Sequence, residues 1–375
     1  MGYTKGLVNR DRLAALLMEL CATDSSSRQE RKMADKLTGL LTELGFTVRE
    51  DDAGSKVGGN AGNLIARLPG TSKGEALLFS SHMDRVTPSF GVKPRMENGA
   101  IVSDGTTVLG ADDAAGLAAV LEAVRVAREN GMALPTIELA WTICEEVGLL
   151  GAKNLDLSQF EAKLGFALDS SGKVGEIVVK APTSAKIAAT FHGKAAHAGV
   201  SPEKGVSAIQ MAGVAISRMR LLRVDSETTA NIGSIAAEGP TNIVPETCKL
   251  LAEARSLTTG KLDEQLKHMV DAMENAAAEL GGSVDVEVTR GYAPVSLSAE
   301  AAPVRRASKA AEQIGVAVKL AATGGGSDAN ILNGGGIATA VLGVGYEEIH
   351  STRERMPLDQ LTLLAEWALA IMTAE

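Results

Sequence analysis

Leu13, Leu16, Leu17 and Leu20 recur at helical spacing near the start of the chain. Met33, Leu37, Leu40, Leu41 and Leu44 repeat the pattern and Gly45 closes it, so the chain opens on two helices, the second capped from Asp24–Ser27. Short unbroken apolar runs follow at 63–68, 76–81, 137–144, 164–168 and 338–344. Strands exposed on one face alternate apolar and polar residues, whereas these runs suit strands buried on both faces of a largely parallel sheet. Helical stretches lie between them, notably Ala114–Arg128. The sum is an α/β architecture: a mostly parallel sheet flanked by helices.

The middle of the chain has a different rhythm. Strand, helix, strand, strand, helix and strand are expected at 183–191, 203–221, 230–237, 247–255, 261–280 and 283–289. That order is the ferredoxin-like α+β unit, which closes on itself and can be inserted whole. The expected organisation is one domain from 1–181 plus 293–375, with an inserted domain at 182–292. The glycine clusters at 324–326 and 334–336 are too short to be linkers.

Composition narrows the function. A formal net charge of -9 disfavours nucleic acid and anionic membranes as partners, and 3% aromatic residues leave little for base stacking. The N-terminal segment lacks an apolar leader core and a myristoylation pattern, and no run approaches the length of a membrane span. Cys21, Cys144 and Cys248 are too widely spaced for a disulfide framework and read as reduced, buried thiols. A soluble cytoplasmic protein is expected.

The chemistry sits after the apolar runs. Ser80-Ser81-His82-Met83-Asp84, Cys144-Glu145-Glu146-Val147-Gly148 and Leu168-Asp169-Ser170 follow three of them, and His350 comes shortly after the last. The loop Gly110-Ala111-Asp112-Asp113 precedes a helix. Open α/β sheets bind ligands beyond the carboxyl ends of their strands, so two histidines and a set of carboxylates converge there. Each motif alone has an ordinary reading as a turn or cap, but together they suit two divalent metals, zinc first and cobalt or manganese as alternatives. Asp112 is expected to bridge, with His82 and Asp169 completing one ion and Glu146 and His350 the other. The three carboxylates and a bridging hydroxide then balance the two dications. Asp84, two residues along from His82, is expected to accept the second imidazole proton. Glu145, left over beside a ligand, is the expected general base.

These motifs, in this order and approximate spacing, resemble the zinc-dependent M20 peptidase family over nearly the whole chain. Gly324-Gly325-Gly326-Ser327-Asp328-Ala329-Asn330 and Gly345-Tyr346-Glu347-Glu348-Ile349-His350 look most like its peptidase T branch. The resemblance implies the same metal ligands, Glu145 as base and proton carrier, and a cis Asp112–Asp113 peptide. It implies that 182–292 is a lid and dimerisation domain whose His197 helps hold the oxyanion, in many relatives from the other subunit of a dimer. It implies Asn242 and Arg255 as ligands of the substrate's terminal group, and Gly325 and Ser327 against the substrate. The glycine-rich stretch lacks the Lys-Ser/Thr of a nucleotide loop. The expected activity is cleavage of short peptides from one end, as in a tripeptide aminopeptidase. The rivals are an N-acyl-amino-acid or carbamoyl amidohydrolase using the same site, and a metal-dependent binding protein without turnover.

Overall fold

The computed structural model describes residues 6–374; the first five positions of the N-terminal segment lie outside it. The chain forms two compact units, one of the described residues up to Lys180 with Ser296–Ala322 and Ser327 onward, the other of Ala181–Val295 with Thr323–Gly326.

The first unit is built on a mixed sheet. Its centre is four strands in the spatial order Ile137–Thr142, Leu77–His82, Leu164–Ser170 and Ala338–Gly343, paired parallel throughout. The first two are buried at every position, because helices cover both faces. Leu77 and Phe79 enter the larger core with Leu117, Leu121 and Trp367, while Leu78 enters a second core with Leu332 and Ile337. On one side of this centre the pairing turns antiparallel: Leu64–Leu68 lies against Ile137–Thr142, and Thr47–Glu50 lies against Leu64–Leu68. Near this edge burial lapses, so Leu64–Leu68 is only half covered, unlike the doubly buried strand its apolar residues suggest.

The two opening helices form at Arg10–Ala22 and Arg31–Glu43. After the second, the Phe46 N–H reaches the Leu41 carbonyl and the Gly45 N–H the Thr42 carbonyl. Gly45 has φ +83°, the left-handed backbone that this helix end requires. The expected cap at Asp24–Ser27 is not used: the helix starts at Arg31, and Ser25 and Ser27 serve the site described below. Helical backbone in the segment Ala111–Glu129 is broken at Asp112 and Asp113, so the regular helix starts beyond them. A small antiparallel sheet of Arg95–Glu97, Ala100–Val102 and Arg355–Pro357 secures the chain just after His350.

In the second unit the spatial order is Thr228–Ala236, Thr247–Ser256, Thr183–His192 and Ser283–Arg290, every pair antiparallel. Helices Ala208–Arg218 and Thr259–Glu279 pack on one face, over Ala185, Ile187, Ala189 and Phe191. This is the ferredoxin-like arrangement, with a two-residue strand, Leu222–Arg223, added at one edge. The first of these helices begins at Ala208, not at Glu203. Pro202–Lys204 is a separate short turn, and the Ser207 hydroxyl caps the true start by accepting from the Gln210 N–H.

Candidate metal centre

His82 ends its strand in full burial, and Cys144 leaves the neighbouring strand Ile137–Thr142 with φ +53°. A β-branch-free residue in left-handed backbone here turns the chain sharply and sends Glu145 and Glu146 off the strand end. The Asp112–Asp113 peptide is cis, as the resemblance implies.

Asp112 lies between the two imidazoles. Its Oδ1 is 3.3 Å from His82 Nε2, and its Oδ2 is 3.2 Å from His350 Nε2. Glu146 Oε1 is 3.1 Å from the same His350 nitrogen. Ligand atoms of His82, Asp112 and Glu146 all fall within 4.8 Å of one another. Asp169 joins electrostatically: it acts on His82, and Asp112 and Glu146 act on it. The Tyr346 hydroxyl donates to Asp169 Oδ1 at 3.3 Å.

The charges fit a pair of cations. Burial pushes the Asp169 carboxyl well above its usual range, partly relieved by His82 and reinforced by Asp112 and Glu146. Burial does the same to Glu145, with Asp169 the next contributor. Burial opposes the ionised form of Asp112, yet hydrogen bonds from His350 and His82 win and hold it below the ordinary range. His350 is pushed up to about 10 by its contacts with Asp112 and Glu146. Divalent ions would neutralise this buried cluster of carboxylates. Imidazole nitrogen and carboxylate oxygen are good donors for zinc, and a carboxylate with an imidazole on each oxygen suits a bridge. The residues present therefore fit divalent metal binding, His82, Asp112 and Glu146 foremost.

A family comparison settles the lineage. The model of peptidase family M20/M25/M40 matches residues 78–374. The chain belongs to peptidase family M20/M25/M40. It is accordingly a peptidase-class hydrolase, peptidase T-like in its relatives. Uncharacterised protein YqjE of Bacillus subtilis (strain 168) is 48% identical over 98% of this chain and 99% of its own. The structure of aminopeptidase PepT from Bacillus cereus ATCC 10987 is similar at 50% identity and TM-score 0.92, covering 98% of this chain and 99% of that one. A tripeptidase from Staphylococcus aureus subsp. aureus Mu50 is 43% identical with TM-score 0.95, covering 98% and 99%.

Around the candidate ligands of this M20 peptidase the structure gives Asp84 further partners and adds residues that sequence reasoning missed, Ser25, Ser27 and Glu30 among them. Asp84 is fully buried, and the His82 Nδ1 contact at 3.0 Å is to its backbone carbonyl, with its carboxylate farther off at 3.5 Å. The carboxylate mainly holds the adjacent turn. Its Oδ1 accepts the Glu145 N–H at 2.8 Å, and its Oδ2 accepts the Ser27 hydroxyl at 2.6 Å and the Glu146 N–H at 3.3 Å. Ser25 bonds the Met83 carbonyl from the same segment, and buried Glu30 accepts the Cys144 N–H at 3.1 Å. Asp113 is a brace, accepting N–H groups of His82 and Gly116. Asp328 is buried against Thr142, and burial pushes its carboxyl up to about 6.

In the second unit His197 is exposed, and its Nδ1 accepts from Gly199 and Val200 at 3.2 and 3.1 Å. The Ala198 N–H donates to the Asn242 carbonyl at 2.8 Å, which brings the His197 and Asn242 loops together. Arg255 lies on the sheet face away from the helices, its Nε and Nη2 at 3.0 and 3.3 Å from the two carboxylate oxygens of Glu253. Gly325 donates to the Thr323 hydroxyl, and the Ser327 N–H donates to Asn330 Oδ1 at the start of a helix. All three cysteines are buried and unpaired. Among the described residues no helix is long and apolar enough to cross a membrane.

Proposed function

We propose that this chain is a two-metal exopeptidase acting on short peptides, with tripeptides preferred. One observation carries the reading: Asp112 reaches His82 with one oxygen and His350 with the other, and Glu145 stands beside them as a buried carboxylate with raised proton affinity. The likeness to an aminopeptidase and a tripeptidase over nearly the whole chain supports the substrate class.

In this reading His82, Asp112 and Asp169 would hold one divalent ion, and Asp112, Glu146 and His350 would hold the other. Zinc suits these donors best, and cobalt or manganese are tolerated by them. When bound, such a pair acidifies a water and polarises the amide carbonyl. Glu145 takes the proton of the attacking water and returns it to the leaving nitrogen, a role that suits a carboxylate whose burial raises its proton affinity. Asp84 holds the Glu145–Glu146 backbone at the working position. We assign His197 to the developing oxyanion, Asn242 and Arg255 to the substrate's terminal group, and the Gly325–Ser327 turn to the substrate backbone. Residues 1–181 with 293–375 form the catalytic domain, and 182–292 the lid through which a homodimer assembles. A cytoplasmic location goes with this reading.

The test is a substrate panel: di-, tri- and tetrapeptides with free or blocked ends, and N-acyl and N-carbamoyl amino acids, each with the zinc-loaded protein. Tripeptides with a free amino end should be cleaved fastest. Turnover of acyl or carbamoyl substrates alone would replace peptidase by amidohydrolase, and binding without turnover would make the chain a binding protein.

A further inference from the structure

Glu354 is a buried carboxylate that none of the roles above uses, with 2% of its surface exposed. Its Oε2 accepts the Gly110 N–H at 2.7 Å, and its Oε1 accepts the Asp112 N–H at 3.0 Å. A single side chain thus grips the backbone of the Asp112 loop at two points, one of them the amide of Asp112 itself. Glu354 lies four residues beyond His350, inside a loop whose base is closed by paired Glu347 and Arg355 backbones at 2.9 and 3.0 Å. The strand Arg355–Pro357, which follows at once, is held by Ala100–Val102. The loop that carries His350 therefore reaches back and fastens the loop that carries Asp112.

The surroundings leave this carboxylate little freedom. Arg85 is buried with its guanidinium on the Leu20 and Cys21 carbonyls, and it attracts Glu354 electrostatically. Gly110 has φ +75°, and a Cβ there would come within 2.2 Å of Arg85 Cδ. Arg85 thus packs against the glycine whose amide Glu354 holds.

We propose that Glu354 is a positioning residue that couples the two ligand loops, setting Asp112 and His350 at the separation a metal pair needs. The proposal rests on the two-metal reading above. A carboxylate has an acceptor for each of the two N–H groups, while glutamine has one and alanine none. Groups that orient metal ligands typically govern affinity by roughly 10–100-fold.

The test titrates metal-free wild type, Glu354→Gln and Glu354→Ala with zinc alone against a chromophoric chelator, with melting of each metal-free protein measured beside it. Both variants should bind zinc roughly 10–100-fold more weakly, Glu354→Ala more so than Glu354→Gln. A merely structural role would lower the metal-free melting temperature and leave the zinc constants of the folded protein alone. Glu354→Gln keeps the side chain's volume and decides the matter if Glu354→Ala does not fold. Wild-type zinc constants in the folded variants would overturn the proposal, whatever their melting temperatures. Wild type that binds no zinc would instead remove the two-metal reading, so the two failures are distinct.

Discussion

Asp84 Oδ1 accepts the backbone N–H of Glu145 at 2.8 Å. The second oxygen of the same carboxylate takes the Ser27 hydroxyl and the Glu146 N–H. The residue beside His82 in sequence thus fixes the turn that presents the candidate base and a candidate metal ligand, two strands of the sheet being tied at their ends. Asparagine would set an amide N–H against one of these donors. Asp84→Asn should lower kcat about 10–100-fold with little change in KM, as for other groups that orient metal ligands. Steady-state kinetics on a tripeptide checks it.

Removing metal should cost stability as well as activity. Asp169 raises the proton affinity of Glu145, and Asp112 and Glu146 raise that of Asp169, in a buried cluster that the imidazoles partly relieve. Treatment with chelator should lower the melting temperature, and zinc should restore it. Free zinc at a hundred times its dissociation constant contributes about 2.7 kcal/mol. Differential scanning calorimetry with and without zinc measures this directly, and an unchanged melting temperature would count against a metal held by the folded state.

Gly110→Ala should destabilise the loop that carries Asp112. The new methyl would meet Arg85 Cδ at 2.2 Å and Nε at 2.4 Å, and φ is +75°. Arg85 cannot swing aside without leaving the Leu20 and Cys21 carbonyls. A loss of about 1–3 kcal/mol is expected from the overpacking, read as a shift of the urea midpoint.

Glu253 occupies the guanidinium fork of Arg255, assigned above to the substrate's terminal group, and a planar fork suits a carboxylate best. Glu253→Gln should free Arg255 and lower KM for tripeptides with a free carboxyl end by a few-fold, in keeping with about 0.2–1 kcal/mol for a partly exposed ion pair. Peptides amidated at that end should show no such gain. An equal change for both would remove Arg255 from carboxylate recognition.

The doubly buried strands were legible because an unbroken apolar run has few other uses, and most of the candidate ligands because they stand at or near the end of such a run, Asp112 alone coming from a loop before a helix. His82, Asp112, Glu146 and His350 come together as the spacing predicts. The supporting shell was not legible. Ser27, Glu30, Arg85 and Glu354 are ordinary residues in sequence, and their meaning comes from partners as distant as Gly110 is from Glu354. Asp24–Ser27 reads as a helix cap from local chemistry, yet two of its serines bond the Met83–Asp84 segment, a tertiary preference that local pattern cannot express. The start of the helix at Ala208 was misplaced for a related reason. Pro202 opens a short turn, and Ser207 caps the helix after it. The half-exposed strand Leu64–Leu68 shows the limit of apolar runs, since its burial depends on how near the sheet edge it lies.

The most direct test of the two-metal account is metal content by plasma spectrometry, paired with tripeptide hydrolysis by wild type and Glu145→Ala. About two metal ions per chain are expected in both proteins, because Glu145 is not assigned as a ligand. Hydrolysis should fall at least about 10²–10⁴-fold in the variant, the range for loss of a positioned general base. Protein never exposed to chelator that carries no metal, or a variant that cleaves as fast as wild type, would contradict the account.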